Sequence, residues 1–72
     1  MIVVKSDSSY VLCDQIVEYG SKEEPWVSLK HPVHLSSLPT DDKDVAMIWK
    51  HAEKGTGFCT TKKSIKVLKE IK

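Results

Sequence analysis

The sequence predicts a mostly β domain: a small, mostly antiparallel barrel with one helical turn ahead of its last strand. Three observations predict it. Short runs rich in β-branched and aromatic residues are separated by Ser, Asp, Gly and Pro. The longest run, Tyr10–Tyr19, is apolar on both of its alternating faces, which suits a small closed barrel or a subunit interface. The chain has 72 residues, enough for one domain, 1–72, and no more. A domain this small buries only roughly 60% of its unfolded surface, so association with copies of itself or with a partner is expected to add stability.

Along the chain, Ile2-Val3-Val4 is a first strand, closed by the turn formers Ser6-Asp7-Ser8-Ser9. The run Tyr10–Tyr19 is interrupted by Asp14 and Gln15, where a bend or bulge is expected. Gly20–Pro25 is a polar hairpin loop. In the following strand Trp26, Ser28 and Lys30 share one face, and Val27, Leu29 and His31 the other. Pro32 lacks an amide hydrogen, so the ladder breaks there or the strand lies at an edge.

Ser36–Asp44 reads as the longest loop. Val45–Ala52 is a strand by alternation, with Val45, Met47 and Trp49 set against Ala46, Ile48 and Lys50. A glycine turn at Glu53–Gly57 then returns the chain through Phe58-Cys59-Thr60 as a hairpin. The last segment has two readings. Ile65, Leu68 and Ile71 at three-residue spacing behind a Ser or Thr cap suit a helix. A helical turn at Thr61–Ser64 followed by a strand fits as well, and is the reading adopted.

Composition excludes several classes. With 40% hydrophobic and 29% charged residues the chain is globular and not disordered. No apolar run approaches the ~18 residues of a membrane helix, and no secretory signal opens the chain, so a cytoplasmic, non-membrane protein is expected (in the host cytoplasm if the source is viral). Two cysteines, Cys13 and Cys59, are too few for a disulfide scaffold and read as buried, reduced thiols.

The net charge of +1 hides an asymmetry. Residues 54–72 hold six Lys against the single Glu70, whereas residues 1–36 hold three Lys against five acids. A basic pole attracts phosphate. Lys62, Lys63, Lys66 and Lys69 near Trp49 and His51 are therefore the candidate nucleic-acid-binding residues, the aromatic rings stacking on bases. The bland alternative makes Trp49 and Phe58 core and the lysines a solvated face. The chain has no Arg, so the bidentate fork that reads guanine is missing.

Catalytic and metal signals are thin. Gly55-Thr56-Gly57 is too short to cradle phosphate and reads as a tight turn. His31 and His34 flank Pro32, which argues against a shared helix face, and on a strand they point to opposite sides. His51, Cys13, Cys59 and Asp14 complete no recognised zinc spacing. No catalytic residue, metal or cofactor is implied, and the chain is expected not to be an enzyme.

The order of segments through Trp26-Val27-Ser28-Leu29-Lys30-His31-Pro32-Val33 resembles the front half of Sm-like proteins, where a strand pair precedes an apolar-x-Leu-x-x-Pro-apolar stretch. The ending Phe58–Leu68 is similar to the closing strands of the same fold, especially in the compact Sm-like proteins of bacteriophages. The resemblance implies a five-stranded, strongly bent antiparallel barrel, edge-paired into a homo-oligomeric ring of a kind that often binds RNA around its pore. The chain departs from that pattern. Cys13 and Asp14 stand where the family has a strand glycine, the Asp-x-x-apolar-Asn signature has no counterpart, and the closing Arg-Gly pair is absent. The expected function is thus an Sm-like homo-oligomer binding single-stranded nucleic acid or a protein. The alternative is an accessory protein of a phage or mobile element acting through protein contacts alone, by way of the acidic hairpin Glu18–Glu24 and the loop Ser36–Asp44.

Overall fold

Seven strands and one helix organise the chain in the computed structural model, which describes residues 1–53 and 57–71. The strands are β1 (Ile2–Ser6), β2 (Ser9–Cys13), β3 (Gln15–Gly20), β4 (Pro25–Lys30), β5 (Val33–Leu35), β6 (Phe58–Thr61) and β7 (Ile65–Glu70). Helix α1 spans Asp42–His51, and a 3-10 turn, Lys62–Ser64, joins β6 to β7. All pairings are antiparallel and fall into two sheets, β5-β2-β1-β7 and β3-β4-β6. The expected five-stranded closed barrel is therefore corrected to an open arrangement of a four-stranded and a three-stranded sheet.

The local chemistry of the first half matches its structure. Ser6 pairs with Ser9 around the two-residue turn Asp7-Ser8, and Asp7 takes φ 44°, a left-handed conformation that Asp tolerates better than most residues. Gly20 at φ +95° opens the β3–β4 loop. A Cβ there would lie 2.7 Å from the Glu24 carbonyl oxygen, so the turn requires glycine.

The expected interruptions at Asp14 and Pro32 are the places where the chain passes between sheets. Only Asp14 separates β2 from β3, and only His31 and Pro32 separate β4 from β5. The two corners are tied together. The Asp14 amide donates to the Lys30 carbonyl at 2.9 Å, and the His31 imidazole Nδ1 sits 3.3 Å from an Asp14 carboxylate oxygen. His31 adopts φ 53°, so it carries the backbone strain of its corner.

Residues 45–52 do not form a strand. Asp41 caps a helix by accepting the Asp44 amide at 2.9 Å, and Asp42 and Asp44 place negative charge in the first turn, where the helix dipole favours it. The expected loop therefore ends before Asp42. The spacing that decides the structure is Val45, Ile48 and Trp49, one helical stripe. Met47, which shares a face with Val45 and Trp49 in the strand reading, is 59% exposed. The expected hairpin from 45–52 into 58–60 is absent accordingly, and Lys54, Gly55 and Thr56 of its turn lie outside the described residues. By contrast, the turn-then-strand reading of 61–72 agrees with the 3-10 turn and β7.

Two apolar clusters explain why the sheets need not close. On one face of the four-stranded sheet Val3, Leu12 and Leu35 pack with Val45, with Ile48 and Trp49 beside them. On its other face Val4, Val11 and Cys13 pack with Leu29, with Ile16, Phe58 and Ile65 against them. The molecule is thus layered as helix, four-stranded sheet, three-stranded sheet. The termini are stitched together beside β1, the Ile71 amide donating to the Met1 carbonyl at 2.8 Å.

Two substitutions separate the helix from the strand reading in urea unfolding. Asp41→Ala removes the cap and is expected to cost about 1 kcal/mol. Met47→Lys is expected to change stability by no more than about 0.5 kcal/mol, as at other exposed positions. An inward-facing Met47 would make the second change far more damaging than the first.

Candidate functional site

The residues expected to bind nucleic acid do not all lie together. Lys66 and Lys69 lie on β7, paired with Lys5 and Val3 of β1, so they stand on the helix-covered face of the four-stranded sheet. Lys62 and Lys63 lie on the 3-10 turn at the end of the other sheet. Trp49 packs toward the helix-side core, and His51 is the exposed last residue of α1. Lys69 contacts the Asp42 carboxylate, so the helix begins beside Lys69 and carries His51 roughly 13 Å away, at about 1.5 Å of rise per residue. Lys62 is paired with Glu18 at 2.8 Å. The fold brings together Lys5, Lys66 and Lys69 on the face that Trp49 also packs against, and sets Lys62 and Lys63 apart from them on the 3-10 turn.

The histidines are used locally. His31 faces Asp14, and His34 meets the Phe58 ring edge-on with centroids 5.9 Å apart. Among the described residues no three His, Cys, Asp or Glu side chains come together as a metal site would require.

One side of the layered structure opens between the edge strands β3 and β7. A cleft of about 380 Å³ lies there, its apolar wall made by Ile16, Val27, Ile65 and Val67. The Glu18–Lys62 ion pair sits on its rim. Register explains the lining: Ile16 pairs with Leu29 and Glu18 with Val27, so these residues face the four-stranded sheet. The alternate residues face outward, where Val17 stands beside Ser28 and Tyr19 beside Trp26. Tyr19 is 46% and Val67 53% exposed.

The two edges differ. β7 carries Lys66 and Lys69, and its register against β1 slips between Val3 and Val4, leaving Leu68 unmatched. Lysines and a bulge are the usual means of blunting an edge. β3 runs six residues in unbroken register with β4, without Pro or bulge and with Glu18 as its only charge. Sequence reading merged β3 with β2 into one strand and so missed the edge. Asp14 was the available signal, since it divides a doubly buried half (Val11, Leu12, Cys13) from a mostly exposed one.

The cysteines also differ from each other, against the expectation that both are buried. Cys13 is fully buried, and the loss of water pushes its thiol up to about 11. Cys59 is exposed, because β6 pairs it with Ser28 on the outward face. Hydrogen bonding from Tyr19, then Ser28, holds the Cys59 thiol below its ordinary range, with Lys30 adding to the effect. The same contact pushes the Tyr19 phenol up.

Compared with protein-family models, curated proteins and solved structures, the chain shows no match to any of them. Among the described residues no helix is long and apolar enough to cross a membrane.

Alkylation of the native protein with iodoacetamide is expected to modify Cys59 and spare Cys13 until the chain unfolds. The pH midpoint of the Cys59 rate should fall below that of an unfolded thiol, and Tyr19→Phe should move it up. Stability should decline as pH rises from about 9 to about 11, because the unfolded chain ionises Cys13 first. Cys13→Ala should reduce that decline in a pH series of urea unfolding curves.

Proposed function

We propose that the chain is a non-enzymatic, cytoplasmic protein-interaction module whose β3 edge receives an extended strand from a protein partner. The observation that carries this reading is the six-residue, unprotected β3 edge lying between the apolar cleft and the outward Tyr19–Trp26 pair. A strand laid along such an edge gains main-chain hydrogen bonds, and its alternate side chains point to opposite faces. One set would enter the cleft against Ile16 and Val67. The other would lie on Val17 and Tyr19. Tyr and Trp are the residues most enriched where binding energy concentrates.

Binding of nucleic acid draws less support, because Lys62 and Lys63 lie apart from Lys66 and Lys69 and two of the four lysines contact carboxylates.

Selection of a displayed library of ten-residue peptides on the full chain tests the reading. Enriched peptides should carry apolar residues at every second position. Val67→Lys, at an exposed position on the cleft wall, should weaken them at least about tenfold without lowering stability, and Tyr19→Ala should weaken them as well. Enriched peptides indifferent to both changes would overturn the reading. So would a library that yields none while a short single-stranded RNA binds at low salt with the expected steep salt dependence.

A further inference from the structure

We infer that the strand received at this edge is β3 of a second copy, paired antiparallel about a two-fold axis at Val17. The inference rests on the strand-receiving reading above and names its partner.

A two-fold axis perpendicular to the sheet keeps the outward face of both copies on one side, so the register can shift only in steps that preserve side-chain parity. Three registers then cover the centre of β3. Centred on Glu18, the strand opposes Glu18 to Glu18. Centred on Ile16, it opposes Asp14 to Glu18. Like charges directly opposite destabilise a sheet. Centred on Val17, it opposes Val17 to Val17, Ile16 to Glu18 and Gln15 to Tyr19, with no like charges facing. Only this register is self-complementary.

The neighbouring strands extend the match. β4 places Trp26 beside Tyr19 and Lys30 beside Gln15. The outward row across the axis therefore runs Trp26 and Tyr19 of one copy, then Gln15 and Lys30 of the other. Tyr19, whose hydroxyl is engaged by Cys59, offers the exposed part of its ring to the Gln15 stem. On the inner side the two clefts meet mouth to mouth, which takes Ile65 and Val67 of both copies out of water. β7 is the less suitable edge, blunted by Lys66, Lys69 and the unmatched Leu68. A net charge of +1 sets no long-range barrier to self-association.

Light scattering of the full chain across concentrations, combined with disulfide trapping, tests the inference. The expected mass is twice the 8.1 kDa of one chain. In a Cys59→Ser background, Val17→Cys should form a covalent dimer under mild oxidation and Leu68→Cys should not. Val17→Lys, at a half-exposed position, should raise the dimer dissociation constant at least about tenfold while leaving the helical and sheet circular dichroism intact. A monomer at all concentrations, or a dimer trapped through position 68 and not 17, overturns the inference. The peptide selection reads the edge separately: a monomer whose peptides respond to Val67→Lys leaves the strand-receiving reading standing, and loss of both results removes the two together.

Discussion

The constraint on which the structure depends is the burial of β2 on both faces. Val11, Leu12 and Cys13 are each fully removed from water, and a strand alternates its side chains between opposite sides. Two covers are required. Fully burying a side chain such as Leu or Val is worth about 1.5–3 kcal/mol, so leaving either face open would cost a large part of the stability of a small domain. Helix α1 supplies one cover through Val45, Ile48 and Trp49. The β3-β4-β6 sheet supplies the other through Leu29, Ile16 and Phe58. Because the helix satisfies the second face, neither barrel closure nor a partner subunit is needed there.

The same constraint positions the site. A chain that must leave the doubly covered layer does so at Asp14 and at His31-Pro32, and these corners are bonded to each other. Beyond Asp14 the continuation of β2 becomes β3, an edge strand whose outward neighbour is solvent. The cleft beside it exists because the two sheets share one packed cluster but diverge toward β3 and β7. Folding and exposure of the edge are thus consequences of one corner, and Cys59, Tyr19 and Trp26 inherit their outward placement from the register set there.

Much of this was legible residue by residue. The Ser6–Ser9 turn, the Gly20–Pro25 hairpin, the alternation of Trp26–Lys30 and the helical turn before β7 follow from local turn chemistry and period-two patterning. The double apolarity of Tyr10–Val17 was visible too, but what covers it was not, since a barrel, a subunit and a helix satisfy it equally. The helix itself was hidden in an eight-residue run where Val45, Met47 and Trp49 fit period two while Val45, Ile48 and Trp49 fit the helical period. The capping Asp41, read as part of a loop, was the signal that separates them. Of the candidate site, the lysines were legible as a charge excess along the chain, but their separation depends on which sheet each strand joins. The β3 edge depends on non-local pairing in the same way.

The most direct measurement of the central claim is a methyl-resolved NOESY spectrum of the native chain. The layered arrangement predicts cross-peaks from the Leu12 methyls to Val45, with none from Leu12 to Leu29, and cross-peaks from the Val11 methyls to Leu29, with none from Val11 to Val45. Contacts from Leu12 and Val11 to the same set of residues, or strand-like cross-strand contacts running through Val45–Ala52, would contradict it.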